Sequence, residues 1–533
     1  MNLLFDNWLS VRDVNDKVKL ISPCDVTDTS LIEICAQRED FTGAQLQFLI
    51  GLFQTEYMPI NEKEWFVKLK NPPTREELIT LFNVNAIKNS FNVDISDIRF
   101  MQDLSAVDNV PIYQLLIGAP KNITIDRNRD FFIKRDDISC LCPSCAVSAM
   151  IAFQLYGAPV GPHHYYSLRG GRPLTTLIIG KNLWETIWLN ILSGSSRKFK
   201  YINEQNELPL ISDENTYPWV NTSKYIDMGK KSLLAENDVN SVHMFWSMSG
   251  RMKLNFEENK NLETCDVCGK VYNKKIKTYN RSSTGIHYSS ELWYHSLTPY
   301  REIEDKDTKN IKIIPIGADI NNVLYSHWGN IIYIKDNNII PAQVISRYIN
   351  NDLPLPNLRI WAFGVNFDKA KSISWVSHTI PILHVDNKIK KDYINHIITT
   401  IEVINYMNKC LYMAIYKIKK SSSSLKNKLY DSNTLYLLTE NEFIAYCNHI
   451  LHYMQNNNND AVQNTTKNII HLIQKNILQI CDDFVDYNNT KNLLYMSKRN
   501  KFSQLMQYRN DLRFFIHSKK EVYEKLNIGE END

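Results

Sequence analysis

The stretch CLCPSC, Cys140 to Cys145, sets Cys142 and Cys145 three apart, and CDVCG, Cys265 to Gly269, repeats that spacing 119 residues further on. Each Cys-x-x-Cys knuckle preforms two sulfur ligands, and zinc takes four of them in a tetrahedron with arms of about 2.3 Å. The pattern therefore predicts one structural zinc per chain on Cys142, Cys145, Cys265 and Cys268, with the intervening residues closed into a loop. Four thiolates leave no position open for a substrate, so the site holds the fold and does no chemistry. A redox dithiol is the competing reading, but no thioredoxin-like strand and helix pattern surrounds either pair.

The remaining chain is large enough to build around such a centre. It has 533 residues, of which 44% are hydrophobic and 11% aromatic, enough for two to four ordinary domains. No leader-like start and no run of 18 apolar residues is present, which predicts a soluble, cytoplasmic protein without a membrane partner. Ten cysteines are too few for a disulfide scaffold. Cys35, Cys410 and Cys447 lie singly among apolar residues and read as buried, reduced thiols.

Two textures divide the sequence. Up to about residue 385 there are Pro and Gly turns, β-branched runs such as Ile311 to Ile316 and Ile331 to Ile334, and helical patches such as Gln45 to Phe53. After His384 there is no proline, and Ile394, Ile397, Ile398, Ile401 and Ile404 recur at helical spacing. Breaks at Ser421 to Ser424, Asn456 to Asn459 and Asn488 to Asn489 predict about four helices of comparable length. The fold class is thus α+β: a large mixed α/β N-terminal domain over 1–385 carrying the zinc site, followed by an all-α four-helix bundle over 386–533. Charge follows the same division, with a net of −2 over 1–386 and +5 over 387–533. The basic residues cluster at Lys417, Lys419, Lys420, Lys426 and Lys428, and again at Lys498, Arg499, Lys501, Arg509, Arg513, Lys519 and Lys520. Such runs are either solvated helix faces or phosphate contacts.

Catalytic signatures are missing: there is no phosphate loop, nucleophile elbow, His-Glu-x-x-His or dinucleotide fingerprint. DDFVD, Asp482 to Asp486, imitates the magnesium motif of isoprenoid synthases, but the second acidic motif those enzymes need is absent. NDVNSVHMF, from Asn237, has Phe245 where a glutamate belongs. An exposed acidic helix face is the plainer reading. The adjacent pair His163 and His164 point apart and read as loop residues rather than ligands. Two other classes stay open on the residues alone: a metal-dependent helical-bundle lyase or synthase using DDFVD, and a free-standing zinc RNA-binding protein.

Several stretches taken together are more specific. MNLLFDNWLSVR at the start, NPPTREEL at Asn71 to Leu78, RFMQ at Arg99 to Gln102, the first knuckle, LRGGRPLTT at Leu168 to Thr176, and LW followed by His295 stand in the order found in CasA. The chain resembles that family, the large subunit of the type I-E CRISPR surveillance complex Cascade, over essentially its whole length. The resemblance implies a non-enzymatic subunit whose partners are the other Cascade subunits, a CRISPR guide RNA, double-stranded target DNA and a helicase-nuclease. It further implies that the subunit recognises the protospacer-adjacent motif (PAM), helps open the duplex for R-loop formation and recruits the helicase-nuclease. Base pairing then carries sequence information, and the protein reads only a short duplex element.

The resemblance also proposes positions. A loop before the first knuckle, Arg127 to Asp137, offers Lys134 to phosphate and Phe131 and Phe132 to a base or a neighbouring subunit. The glycine-rich motif-reading loop falls on Ala158 to Ser167, keeping Gly161 but with Pro162 and His163 in place of glycines, a change that alters how closely backbone approaches a groove. The family's lysine finger falls on Ser283, leaving Arg281 as the nearest cation. In WAFGVNFDKAKSISWV, Trp361 to Val376, alternating apolar residues predict a hairpin with the polar tip Asp368-Lys369-Ala370-Lys371. The likeness places Lys369 and Ala370 where a glutamine wedge and its alanine split the first base pair. The basic cluster Lys498, Arg499 and Lys501 is assigned to DNA phosphates.

Overall fold

The structure, a computed structural model, describes all residues except 95, 121–124, 129–131, 135, 158–166, 196–215, 232, 284, 289–292, 305–308, 310, 333–337, 351–354, 356–357, 369–370, 422–424, 486–498 and 530–533. Two compact units result. One comprises Met1–Asp319, Asn337–Leu353 and Asn357–Ile382, and the other Ile320–Asp336, Pro354–Pro356 and Leu383–Asp533.

The first unit is built on the helix Glu39–Glu56, whose apolar residues lie all round its circumference. Such a helix has no solvent face and must be covered on every side. Phe41, Leu49, Ile50, Leu52 and Phe53 are at most 2% exposed. Gly43 admits Phe363 so closely that a Cβ there would lie 2.5 Å from its ring. Among the described residues the strands form four antiparallel three-stranded sheets. Leu9–Asp13 is the centre of the first, between Val18–Ile21 and Leu31–Ile34. Lys274–Ser282 is flanked by Asp108–Pro111 and Arg251–Glu258. Tyr300–Glu304 lies between Ile311–Pro315 and Ile339–Ile340, and Arg359–Asp368 between Thr175–Ile179 and Lys371–Pro381. The rings of Phe48, Phe91, Phe100, Trp219 and Trp246 meet mostly edge to face, at centroid distances of 4.9–6.2 Å, with Phe91 and Phe100 stacked at 5.4 Å, geometries worth roughly 0.5–1.5 kcal/mol per pair beyond burial.

The second unit is helical: Asn387–Ser421, Thr434–Gln455, Asn459–Val485 and Arg499–Ile516. Over the described residues they span 35, 22, 27 and 18 residues, where the sequence predicts comparable lengths. The long first helix packs on the other three, and most of the predicted stripe lies on its buried face, with Ile397, Ile398, Ile401 and Ile404 at most 5% exposed and Ile394 half-buried. The breaks at Ser421 and at Asn456–Asn459 fall where expected, whereas Asn488 and Asn489 lie outside the described residues. The Ile331–Ile334 run is not a strand where it is described. Ile331 ends the short helix Trp328–Ile331, whose segment joins the helical unit: the Tyr325 ring stacks on Phe443 at 4.2 Å and its hydroxyl pairs with Thr439 Oγ1 at 2.7 Å. Tertiary burial has overridden β propensity there.

Polar ties fix the helices' register. His396 Nε2 meets the Tyr446 hydroxyl at 2.9 Å and Thr466 Oγ1 at 3.0 Å, and Thr400 Oγ1 meets the same tyrosine at 2.9 Å. Lys428 Nζ donates to the carbonyls of Asp483 (3.2 Å) and Phe484 (2.7 Å). It thereby caps the C-terminal end of the third helix, where the backbone carries partial negative charge.

One buried acid in the first unit has a measurable consequence. Glu56 ends the central helix at 2% exposure, accepts a hydrogen bond from the Tyr217 hydroxyl, and its Oε2 has no partner among the described residues. Burial pushes this carboxyl up to about 8 from 4.5. The folded state therefore holds a proton that the unfolded chain releases, and stability falls as pH rises from about 4.5 through about 8. Glu56→Gln keeps an acceptor for Tyr217 and removes the titration. Its stability should match the parent near the unfolded pKa and exceed it at alkaline pH by on the order of 1–3 kcal/mol. Denaturation curves against pH check this, and parallel profiles for the two proteins would refute it.

Candidate functional site

Four sulfurs, those of Cys142, Cys145, Cys265 and Cys268, lie within 4.8 Å of one another, and all but Cys268 are buried. The first knuckle works because Cys142 is the N-cap of the helix Pro143–Tyr156. Its extended backbone is followed by Pro143 at the first helical position, and its sulfur accepts from Cys145 N at 3.4 Å. One helical turn then puts Cys145 beside it. The second knuckle turns on Gly269, whose φ of +68° suits glycine. Gly269 N donates to Cys265 O at 2.8 Å and Cys265 N to Lys270 O at 2.9 Å.

Cys142 Sγ and Cys268 Sγ are 3.8 Å apart, the edge of a tetrahedron with arms of about 2.3 Å. As thiols the four cannot all ionise. Cys145, hydrogen-bonding to Cys142 and to the other sulfurs, is pushed up, while Cys265 and Cys268, on which Cys142 and Cys145 bond, are pushed down. A divalent cation replaces those protons and satisfies all four sulfurs together. The cluster can hold a metal ion. Cys140 stands outside it, a buried thiol with its pKa raised by desolvation.

What brings the knuckles together is a residue that cysteine spacing does not reveal. Asp266, between the second pair of cysteines, accepts through Oδ2 from Ser139 N (2.7 Å), Ser139 Oγ (3.1 Å) and Cys140 N (2.8 Å), and its own N–H donates to Cys140 O (3.0 Å). Leu141 and Ile276 also exchange two backbone hydrogen bonds, at 3.0 and 2.8 Å. These bonds join the start of the first knuckle to the second and to the strand Lys274–Ser282. A carboxylate before a Val-Cys pair carries no signal of its own.

The predicted hairpin is present. Arg359–Asp368 pairs antiparallel with Lys371–Pro381 up to Asp368 opposite Lys371, with an irregularity between Asn366 and Phe367. Lys369 and Ala370, the two residues joining the strands, lie outside the described residues. The hairpin's root is tight. A Cβ on Gly364 would lie 2.6 Å from Pro173 O and 2.7 Å from Ala318 Cβ, so the LRGGRP stretch presses directly on it. Within that stretch Arg169 is 2% exposed and donates to Thr175 Oγ1 (2.9 Å), Thr298 Oγ1 (3.2 Å) and Gln47 Oε1 (2.9 Å).

The other expected residues are dispersed. Gly161, His163, Phe131 and Lys498 lie outside the described residues. Lys134 is exposed, and Phe132 is 46% exposed with its Cβ against Gly118. Arg281 is not on a loop: it sits half-buried in Lys274–Ser282, opposite Asp108 and Met252. Arg499 and Lys501 open the last long helix. Asp482 of the acidic motif is half-buried rather than on an exposed face and receives both Nε and Nη2 of Arg509, at 2.6 and 2.7 Å. A carboxylate so engaged offers no oxygens to magnesium without breaking a bidentate pair. Arg509 and Lys428, counted among the basic clusters, are thus structural.

A family model described as CRISPR-associated protein Cse1 matches residues 2–481. Cse1 from Thermobifida fusca is similar with a TM-score of 0.68 at 12% identity, covering 99% of this chain and 98% of that one. CasA (Cse1) of Thermus thermophilus gives 0.63 at 11%, and Cse1 from Acidimicrobium ferrooxidans 0.61 at 12%, each covering 96% of this chain and 99% of theirs. At such identities the structural likeness carries the fold.

Cys142→Ser should reduce bound metal from about one ion per chain, the stoichiometry of one four-thiolate site, to less than about a tenth. Its melting temperature should fall, and a chelator that destabilises the parent should leave it unaffected. Equal metal content by elemental analysis in the two proteins would exclude the site.

Proposed function

Because the chain belongs to the CRISPR-associated Cse1 family, the CasA large subunits of type I-E Cascade, we propose that it recognises the protospacer-adjacent motif in double-stranded DNA and opens the first base pair beside it. It works together with the other Cascade subunits. Guide RNA, target DNA and a helicase-nuclease recruited to its surface complete the set of partners in this reading, and the cytoplasm is its place. Among the described residues no helix is long and apolar enough to cross a membrane. The subunit performs no chemistry of its own. In this reading the four cysteines hold zinc, and the chain comprises a mixed domain over 1–385 and a four-helix bundle over 386–533.

The observation that carries the reading is the hairpin Arg359–Pro381, a long two-stranded projection whose root is pinned at Gly364 and whose strands stay paired to Asp368 and Lys371. A wedge must transmit force without bending, and a paired ribbon on a third strand does so. Lys369, flanked by Asp368 and Ala370, is the wedge. Lysine cannot replace a base as glutamine does: its ammonium seeks phosphate or a base acceptor while its methylene stem fills the vacated space. Separating one stacked step costs about 1.4 kcal/mol on average, an amount that one inserted side chain can offset. Gly161 and His163 shape the motif reader. Lys134 and Arg281 contact phosphate, Phe131 and Phe132 pack against a base or a neighbouring subunit, and Lys498, Arg499 and Lys501 follow the DNA backbone.

Two measurements test this assignment. Lys369→Ala should slow R-loop formation on intact duplex while leaving binding to DNA already unpaired beside the motif unchanged. Equal loss on both substrates would make it a phosphate contact, and no loss on either would remove the wedge. Neutralising Lys498, Arg499 and Lys501 together should flatten the salt dependence of DNA binding by roughly one to three units of slope, with assembly checked separately. An unchanged slope would return them to a solvated helix face.

A further inference from the structure

We propose that the groove between the helices Asn387–Ser421 and Arg499–Ile516 is a docking site for an acidic protein segment that inserts one or two apolar side chains, supplied by another protein of the Cascade assembly. The proposal rests on the Cascade reading above but concerns a surface which that reading does not use.

The groove encloses about 330 Å³, at the lower end of the range of roughly 300–1,000 Å³ in which protein clefts hold ligands. One wall is Tyr406, Cys410, Met413 and Lys417, spaced i, i+4, i+7 and i+11, which is one face of a helix over about 16 Å of axis. The opposite wall is Tyr508, Leu512 and Phe515, again at i, i+4 and i+7. These stripes do not close on one another completely. Met413 and Phe515 each remain 45% exposed, and Tyr412 and Tyr416 beside them 50%. Large apolar side chains left open along two facing stripes are the usual mark of a covered surface, and methionine adapts its shape to what covers it.

Charge selects the occupant. Lys409 and Lys417 line the groove against the single carboxylate of Asp511, Lys420 follows one turn on, and the segment 387–533 as a whole carries a net of +5. An apolar anchor with acidic flanks satisfies both the walls and the rim. A nucleic acid satisfies the rim alone. Its bases need bare aromatic faces to stack on, whereas Lys417 Nζ lies over the Tyr508 ring at 6.0 Å and Lys420 Nζ over Tyr416 at 5.7 Å. The groove floor is apolar and offers little to the polar edge of a base.

The test uses assembled Cascade containing the full chain. With Met413 replaced by the photo-crosslinker p-benzoylphenylalanine, irradiation should join the chain to a protein segment that mass spectrometry identifies as acidic and apolar-anchored. Met413→Glu and Lys417→Glu should each weaken retention of that protein by about tenfold or more. The Lys417→Glu loss should shrink at high salt and the Met413→Glu loss should not. Both positions are solvent-facing, and unchanged circular dichroism and melting would show that the fold persists. Crosslinks to nucleic acid alone, no crosslink, or unaltered retention in both variants would overturn the proposal while leaving the Cascade reading intact. Failure of the parent chain to join Cascade at all would overturn both.

Discussion

Two cysteine pairs separated by 119 residues meet within 4.8 Å, and that contact closes a large part of the first unit into one loop. The closed loop contains nearly all of the helix Pro143–Tyr156, the strand Thr175–Ile179 and, from the aromatic cluster, Trp219 and Trp246. Closing a flexible loop of that length costs roughly 4 kcal/mol in chain entropy beyond a constant. A four-thiolate metal site of the zinc-finger kind would supply on the order of 10–16 kcal/mol, ample to offset it. A bound metal would not position the knuckles unaided, because Asp266 joins them through four hydrogen bonds and the Leu141–Ile276 bridge adds two more. Sulfur chemistry and ordinary hydrogen bonding thus converge on one contact.

The stretches that carry the family likeness are, in the structure, mostly clamps. In NPPTREEL, Thr74 and Glu77 form a reciprocal capping box that starts the helix Arg75–Phe82. Gln102 of RFMQ donates to Val93 O and accepts from Leu254 N, both at 2.9 Å. Arg169 of LRGG is buried among hydroxyl and amide oxygens, and burial lowers its pKa. Its charge is carried by directed neutral acceptors, so few substitutes fit that place. Each of these residues satisfies several backbone or buried polar groups at once.

Legibility followed locality. The four clustered cysteines could be read because each pair is a short-range pattern, and the hairpin because strand alternation is a period of two that needs no partner to be seen. Asp266, Lys428 and Arg509 could not. Their roles depend on groups 127, 55 and 27 residues away, and an isolated Lys or Asp looks the same whether it faces water or caps a helix. The Ile331–Ile334 run misled for the same reason: β-branched residues say that a segment is buried, while the neighbouring helices decide in what form. The first long helix ends at its predicted break, whereas the second begins only at Thr434, well past the serine run that marks its predicted start.

The hairpin Arg359–Pro381 joins a fixed base to a short, replaceable end. Gly364 cannot accept even a methyl group without displacing Pro173 or Ala318, and the strands are held in register as far as Asp368 and Lys371. A side chain added at the base therefore has to displace one of those two neighbours. Only Lys369 and Ala370 stand between the paired strand ends in the sequence. The residues that fix the hairpin and the residues that end it are thus different ones, and substitution in one set leaves the other set's sequence untouched.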